Sequence, residues 1–170
     1  MKRLIMVLVL PWLVWACAAQ KPALWKEPGI SFQGYHTVEV LPVANETGKS
    51  FSDFNVPEEL ALILQVKLRD KGFSVTGGSG ADKILVVKSS LTEYEAGSAL
   101  ARWILPGAGA TKCALKVAVS DKQTGKPMSE FIESGSVAAG GLYTIGADRR
   151  ILGTVAGKVA NDLDRLVKGD

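Results

Sequence analysis

A run of alternating apolar and polar residues, followed by five turn-forming ones and a returning strand, limits this chain more than any other feature. In Thr111–Ser120 (TKCALKVAVS), Cys113, Leu115, Val117 and Val119 fall on one side of an extended backbone, and Lys116 and Ser120 on the other. Asp121-Lys122-Gln123-Thr124-Gly125 can reverse the chain, and Pro127 to about Val137 returns as an antiparallel partner. Upstream, Lys83 to about Tyr94 (KILVVKSSLTEY) predicts the longest strand. Its Leu85, Val87 and Leu91 share one face, with Lys88, Ser90 and Thr92 on the other. Such strands need cover on one face only.

Amphipathic helices supply that cover. Asn55 can cap a helix that has Pro57 in its first turn and Glu58 three residues after the cap. Leu60, Ile63, Leu64 and Leu68 then recur at helical spacing until Gly72. A second helix is predicted from about Ala147 to Val167, with Leu152, Val155, Ala156, Val159, Leu163, Leu166 and Val167 on one stripe. Arg149 and Arg150 oppose the helix dipole at its start, so that turn is expected to be irregular or answered by a nearby acid. Tyr35–Val43, ended by Pro42, and Phe73–Thr76 read as two further strands, with a polar loop over 45–55. Gly77-Gly78-Ser79-Gly80 is a flexible turn without the Lys-Ser/Thr of a phosphate loop.

The strand-helix-strand unit asks for a parallel crossover, and the later strands for antiparallel pairing. The expected class is α+β: a mixed, mainly antiparallel four- to five-stranded sheet with two amphipathic helices packed mainly on one face.

At the N-terminus, Lys2 and Arg3 precede thirteen largely apolar residues and then Cys17, the parts of a secretory signal. The run is shorter than the roughly 20 residues a membrane-spanning helix needs. Val14-Trp15-Ala16-Cys17 resembles a bacterial lipobox, which implies cleavage after Ala16 and acylation of Cys17. The expected division is 1–16 signal peptide, 17–31 lipidated N-terminus and tether, and 32–170 a single domain. Two acyl groups hold a protein on a bilayer without help from its fold. By resemblance to lipoprotein sorting in bacteria with two membranes, Ala18, where an Asp would retain a lipoprotein, implies transfer to the periplasmic leaflet of the outer membrane. Trp25 is the large apolar group of the tether and should pack on the domain or sit at the lipid interface.

Cleavage removes Lys2 and Arg3, leaving 18 basic against 17 acidic residues, a net charge of about +1. No basic run survives, so nucleic acid is not implied as a partner. With Cys17 acylated, Cys113 is the one thiol left; it sits in an apolar row and reads as a small buried hydrophobe. His36 stands alone without neighbouring metal ligands, and neither a metal site nor a cofactor is expected.

The stretch open to function is Glu95–Thr111 (EAGSALARWILPGAGAT), which is long for a connection between neighbouring strands. It places Arg102, Trp103, Ile104 and Leu105 among Gly97, Gly107 and Gly109, a composition suited to docking on a partner. The plainer reading is that Trp103 and Leu105 cover the sheet edge or the open end of the core while Arg102 is solvated. No Ser/His/Asp set or Glu-x-x-His element points to catalysis, and Glu93 and Glu95 read as solvent-facing acids on one strand.

Several pieces occur in order: Val38-Glu39-Val40, Lys71-Gly72-Phe73, Ala81-Asp82, Leu91-Thr92-Glu93-Tyr94, Gly97-Ser98, Ala101-Arg102, Gly107-Ala108-Gly109, and Asp121 through Gly125 before a terminal helix. Together they resemble the bacterial lipoprotein family built on domain of unknown function 4410, over about residues 32–167. The resemblance implies an envelope lipoprotein without established activity and carries over no catalytic residues. The expectation is a non-enzymatic protein-binding or scaffolding module, partnered by the membrane through Cys17 and by an envelope protein or further copies of itself. The alternative is a small-ligand or lipid-binding accessory domain of an envelope transport system.

Overall fold

The computed structural model describes residues 24–75, 83–98, 101, 109–137 and 146–169. The signal peptide, Cys17, the glycine turn 77–80, Arg102, Trp103, Ile104, Leu105, Gly107 and the small-residue stretch 138–145 lie outside the described residues.

In chain order the strands are β1 (Trp25–Lys26), β2 (Thr37–Val40), β3 (Ala44–Asn45), β4 (Ser74–Val75), β5 (Ile84–Glu95), β6 (Thr111–Asp121) and β7 (Pro127–Val137). The helices are α1 (Val56–Asp70), between β3 and β4, and α2 (Ala147–Lys168), after β7. The central meander β5-β6-β7 follows the alternation. Leu91 lies opposite Leu115, Val117 opposite Phe131, and the hairpin turns at 121–125. One irregularity reshapes the pattern. The β5–β6 register shifts between Leu91 and Glu93, so Thr92 is an extra residue and the inward row continues at Tyr94.

The sheet is larger than expected and differently paired. Among the described residues it has seven strands in the order β1-β7-β6-β5-β2-β4, with β3 also on β5. Among the described residues three pairings are parallel (β2–β4, β2–β5, β3–β5) and three antiparallel, so "mainly antiparallel, four to five strands" is corrected to an evenly mixed sheet. The additional strands β1 and β3 are two residues long, too short for alternation to register. β1 also takes the end of the expected tether into the sheet, pairing Trp25 with Glu130 and Lys26 with Ser129.

The expected cap starts α1: the Asn55 side chain accepts from the Glu58 N–H at 3.4 Å and donates to the Glu58 carboxylate at 3.1 Å. Gly72, at φ +89, ends it while the Phe73 N–H returns to the Leu68 carbonyl at 3.1 Å. Leu60, Leu64 and Leu68 are fully buried, each worth about 1.5–3 kcal/mol of transfer free energy. They pack beside Ile151, Leu152, Val155 and Val159 of α2, over the inward rows of β5 and β6.

Ser89 sits in that inward row between Val87 and Leu91, fully buried, and its hydroxyl has no hydrogen-bond partner. A buried, unpaired hydroxyl costs about 1–3 kcal/mol. Ser89→Ala is therefore expected to raise the unfolding free energy by about 1 kcal/mol or more, read as a higher urea midpoint with an unchanged slope. An unchanged or lowered midpoint would mean the hydroxyl is satisfied.

Candidate functional site

The connection between β5 and β6 is closed at its base. The Ser98 N–H donates to the Gly109 carbonyl at 3.0 Å, and the Thr111 hydroxyl to the Ala96 carbonyl at 2.8 Å. The Ser98 hydroxyl accepts from the Ala101 N–H at 3.2 Å. Gly97 and Gly109, two of the expected site residues, form this neck with φ of +71 and +64. At Gly109 a Cβ would lie 2.9 Å from both the Ala101 Cβ and the Ser98 carbonyl oxygen, so only glycine fits without movement. The structure thus brings Gly97 and Gly109 together as the root of the stretch carrying Arg102–Leu105.

Beneath this neck is a support that sequence reading missed. Because the Thr92 bulge turns Tyr94 inward, its ring meets Phe51 and Phe54 edge-on, with centroids 5.3 and 6.4 Å away. The Tyr94 hydroxyl donates to the Asp148 carbonyl at 3.2 Å, tying β5 to the first turn of α2. Burial foremost, with the charge of Asp148 next, pushes this phenol up to about 12. Asp148 in the first turn is the nearby acid expected to answer the opposed helix dipole, and Arg149 lies 5.0 Å over the Phe54 ring. Glu93 and Glu95 share the outer face, as expected, and both reach Lys112 at 3.6 Å.

At the opposite end of β6, Asp121 gathers the hairpin. It accepts from the Tyr35 hydroxyl at 2.7 Å and from the Thr124 N–H and hydroxyl at 2.7 and 2.6 Å. These bonds, Thr124 first, hold its carboxyl below the usual range, while burial and then Asp121 push Tyr35 up to about 12. The group is saturated by its own fold and has the character of a turn lock. Cys113 is fully buried, and burial foremost raises its thiol to about 12, far from a nucleophile's range. His36 is exposed. A third constellation joins Glu133 of β7 to Asp162 of α2 beside Lys158 and Arg165, along a cleft of about 430 Å³. Burial first, then the hydrogen bond and charge of Asp162, raise Glu133 from an ordinary 4.5 to about 7.

A family model described as domain of unknown function 4410 matches residues 45–141, more than half of the chain, from β3 through β7. The chain belongs to this family. The family's match is narrower than the span of about 32–167 expected from sequence; α2 and the first two strands lie beyond it. No curated protein matches the sequence. Among solved structures, the PelC dodecamer from Paraburkholderia phytofirmans is 12% identical and superposes with a TM-score of 0.58 over 85% of this chain and 96% of that one. A point variant of it is 14% identical, with a TM-score of 0.57 over 84% and 97%. Lipoprotein GNA1162 from Neisseria meningitidis, 18% identical over 75% of this chain and 96% of that one, superposes more loosely at 0.42. At these identities the PelC likeness is one of fold. In this DUF4410 member the fold places the connection between β5 and β6 on a pinned root.

Two outcomes follow from this geometry. Gly109→Ala should lower stability by about 1 kcal/mol or more, measured by chemical denaturation, because the new methyl meets both the left-handed backbone and Ala101. At Glu133, the raised value means the folded state holds the proton more tightly than the unfolded chain. Its contribution is most favourable below about 4.5 and declines as the pH rises to about 7. Glu133→Gln should remove that decline from a series of urea midpoints across this window, and an unaltered series would show that the pair is not coupled to folding.

Proposed function

We propose that this chain is a lipid-anchored module of the bacterial cell envelope that works by protein contact and not by catalysis, holding a partner through the 97–111 segment and associating with copies of itself. The observation that carries this is the neck: Ser98–Gly109 and Thr111–Ala96 pin the root of a segment whose sequence holds Arg102, Trp103, Ile104 and Leu105. A contact segment whose two ends are already pinned to a sheet has less freedom left to lose on binding. Self-association is supported by the dodecameric state of the PelC relatives that share the fold. Membrane attachment through Cys17, at the periplasmic leaflet of the outer membrane, rests on the Val14–Cys17 pattern and on Ala18. Among the described residues no helix is long and apolar enough to cross a membrane.

Crosslinking of the acylated protein in intact cells should trap one specific partner or oligomer. Replacing Arg102 and Trp103 with alanine should abolish that trap while shifting the melting temperature little; a large loss of stability would make them core cover. Cys17→Ser should move the protein from the membrane pellet to the soluble fraction. Retention in the pellet at full precursor length would overturn the anchor.

A further inference from the structure

At the end of the sheet where β6 turns into β7, a cleft of about 350 Å³ opens between the hairpin and the segment that precedes β2. Ile30, Met128 and the Tyr35 ring give it an apolar wall, and its charged groups are Lys83, Lys126 and Asp121. Asp121 is committed: one carboxylate oxygen accepts from the Tyr35 hydroxyl, the other from the N–H and hydroxyl of Thr124. The two lysines are not. Among the described residues neither ammonium has an ion-pair partner.

Lys83 is exposed yet held in place. Its ammonium donates to the Gln33 carbonyl at 3.0 Å and lies 5.4 Å from the centre of the Tyr35 ring. Gly34, at φ +87, leaves room for it, since a Cβ there would come within 3.3 Å of the ammonium nitrogen. A side chain placed in advance has less freedom to lose when a ligand arrives. The bond to Gln33 uses one of three N–H donors and leaves two. At the same rim the Ser31 hydroxyl accepts from the Gln33 N–H at 3.2 Å and keeps its own proton to donate. Donors thus converge on a cleft whose single carboxylate is spent, and two lysines against one aspartate leave the lining with a net charge of +1.

We propose that this cleft binds a phosphate group carried on a small organic body, with Lys83 and Lys126 as counter-charges, Ser31 as a further donor, and Ile30 and Met128 against the body. Lysine binds phosphate as a point charge, and no arginine fork of the kind that matches a carboxylate lines the cleft. Its volume lies at the small end of the roughly 300–1,000 Å³ range of ligand pockets, which suits an ester of about the size of glycerol phosphate. The phosphate has two possible sources, a soluble ester and a lipid headgroup. The Glu27 N–H donates to the Met128 carbonyl at 3.0 Å, so the cleft lies beside the strand at which a tether from Cys17 would join the sheet.

The test is lysine acetylation of the full acylated chain in a non-ionic detergent, with rates read site by site by mass spectrometry. Millimolar glycerol 3-phosphate should slow labelling of Lys83 and Lys126 and leave exposed Lys88 of β5 unchanged. Lys83→Gln should raise the concentration that half-protects Lys126 by about tenfold, whereas Lys88→Gln should not move it, and both should keep the melting temperature. If Lys83→Gln fails to fold, Lys126→Gln read at Lys83 takes its place with the same expected shift. Nanodiscs separate the sources. Protection in phosphatidylglycerol discs without added ester, and not in discs of a phosphate-free glycolipid, assigns a lipid headgroup; protection only after the ester is added assigns a soluble ligand. The proposal is overturned by equal slowing at Lys88, by protection from neither source, or by citrate protecting as well as the ester.

Discussion

Everything in this molecule depends on burying one face of a meander whose other face must stay wet. The inward rows of β5 and β6 are apolar nearly throughout, and two helices are needed to cover them. The outward rows carry Lys112 with Glu93 and Glu95, and Lys116 with Glu130 at 2.9 Å. Exposed pairs of this kind contribute little stability. Their role is to keep the outer face soluble while the apolar face collapses, so the register of three long strands is fixed by which side each residue can tolerate.

The long elements were legible because their periods are long enough to see. The β6–β7 hairpin, the start of α1 at Asn55 and the stripe of α2 appear in the structure with boundaries within a few residues of those expected. What escaped the sequence was short or conditional on tertiary structure. β1 and β3 are two-residue ladders recruited by longer neighbours, so composition around Trp25 and Asn45 reads as loop. The Thr92 bulge breaks the alternation it interrupts. Without it, Tyr94 reads as an outward residue, and the aromatic support with Phe51 and Phe54 is invisible. Gly97 and Gly109 are legible as glycines of the long connection, but that they sit at its closed base depends on the Ser98–Gly109 bond and the close approach of Ala101, which no local pattern shows. Charge pairing across α2 and β7 was equally hidden, since Glu133 and Asp162 are far apart in sequence.

The chemistry of the described residues follows the same logic. Asp121 spends its acceptors on its own hairpin and on Tyr35. Cys113 is held neutral inside the core, and Tyr94 ties a strand to a helix. Asp121 thus closes a turn and Tyr94 joins two elements.

The early start of the sheet also sets a leash. If Cys17 carries the lipid, only residues 17–24 separate the acyl chains from the strand that begins at Trp25. Eight residues span about 28 Å at full stretch, at roughly 3.5 Å each. An anchor at Cys17 would therefore confine the folded body to a thin layer against its bilayer. Any second membrane or distant wall component would have to come to it, and neighbouring copies would meet side by side on a surface instead of by diffusion in three dimensions.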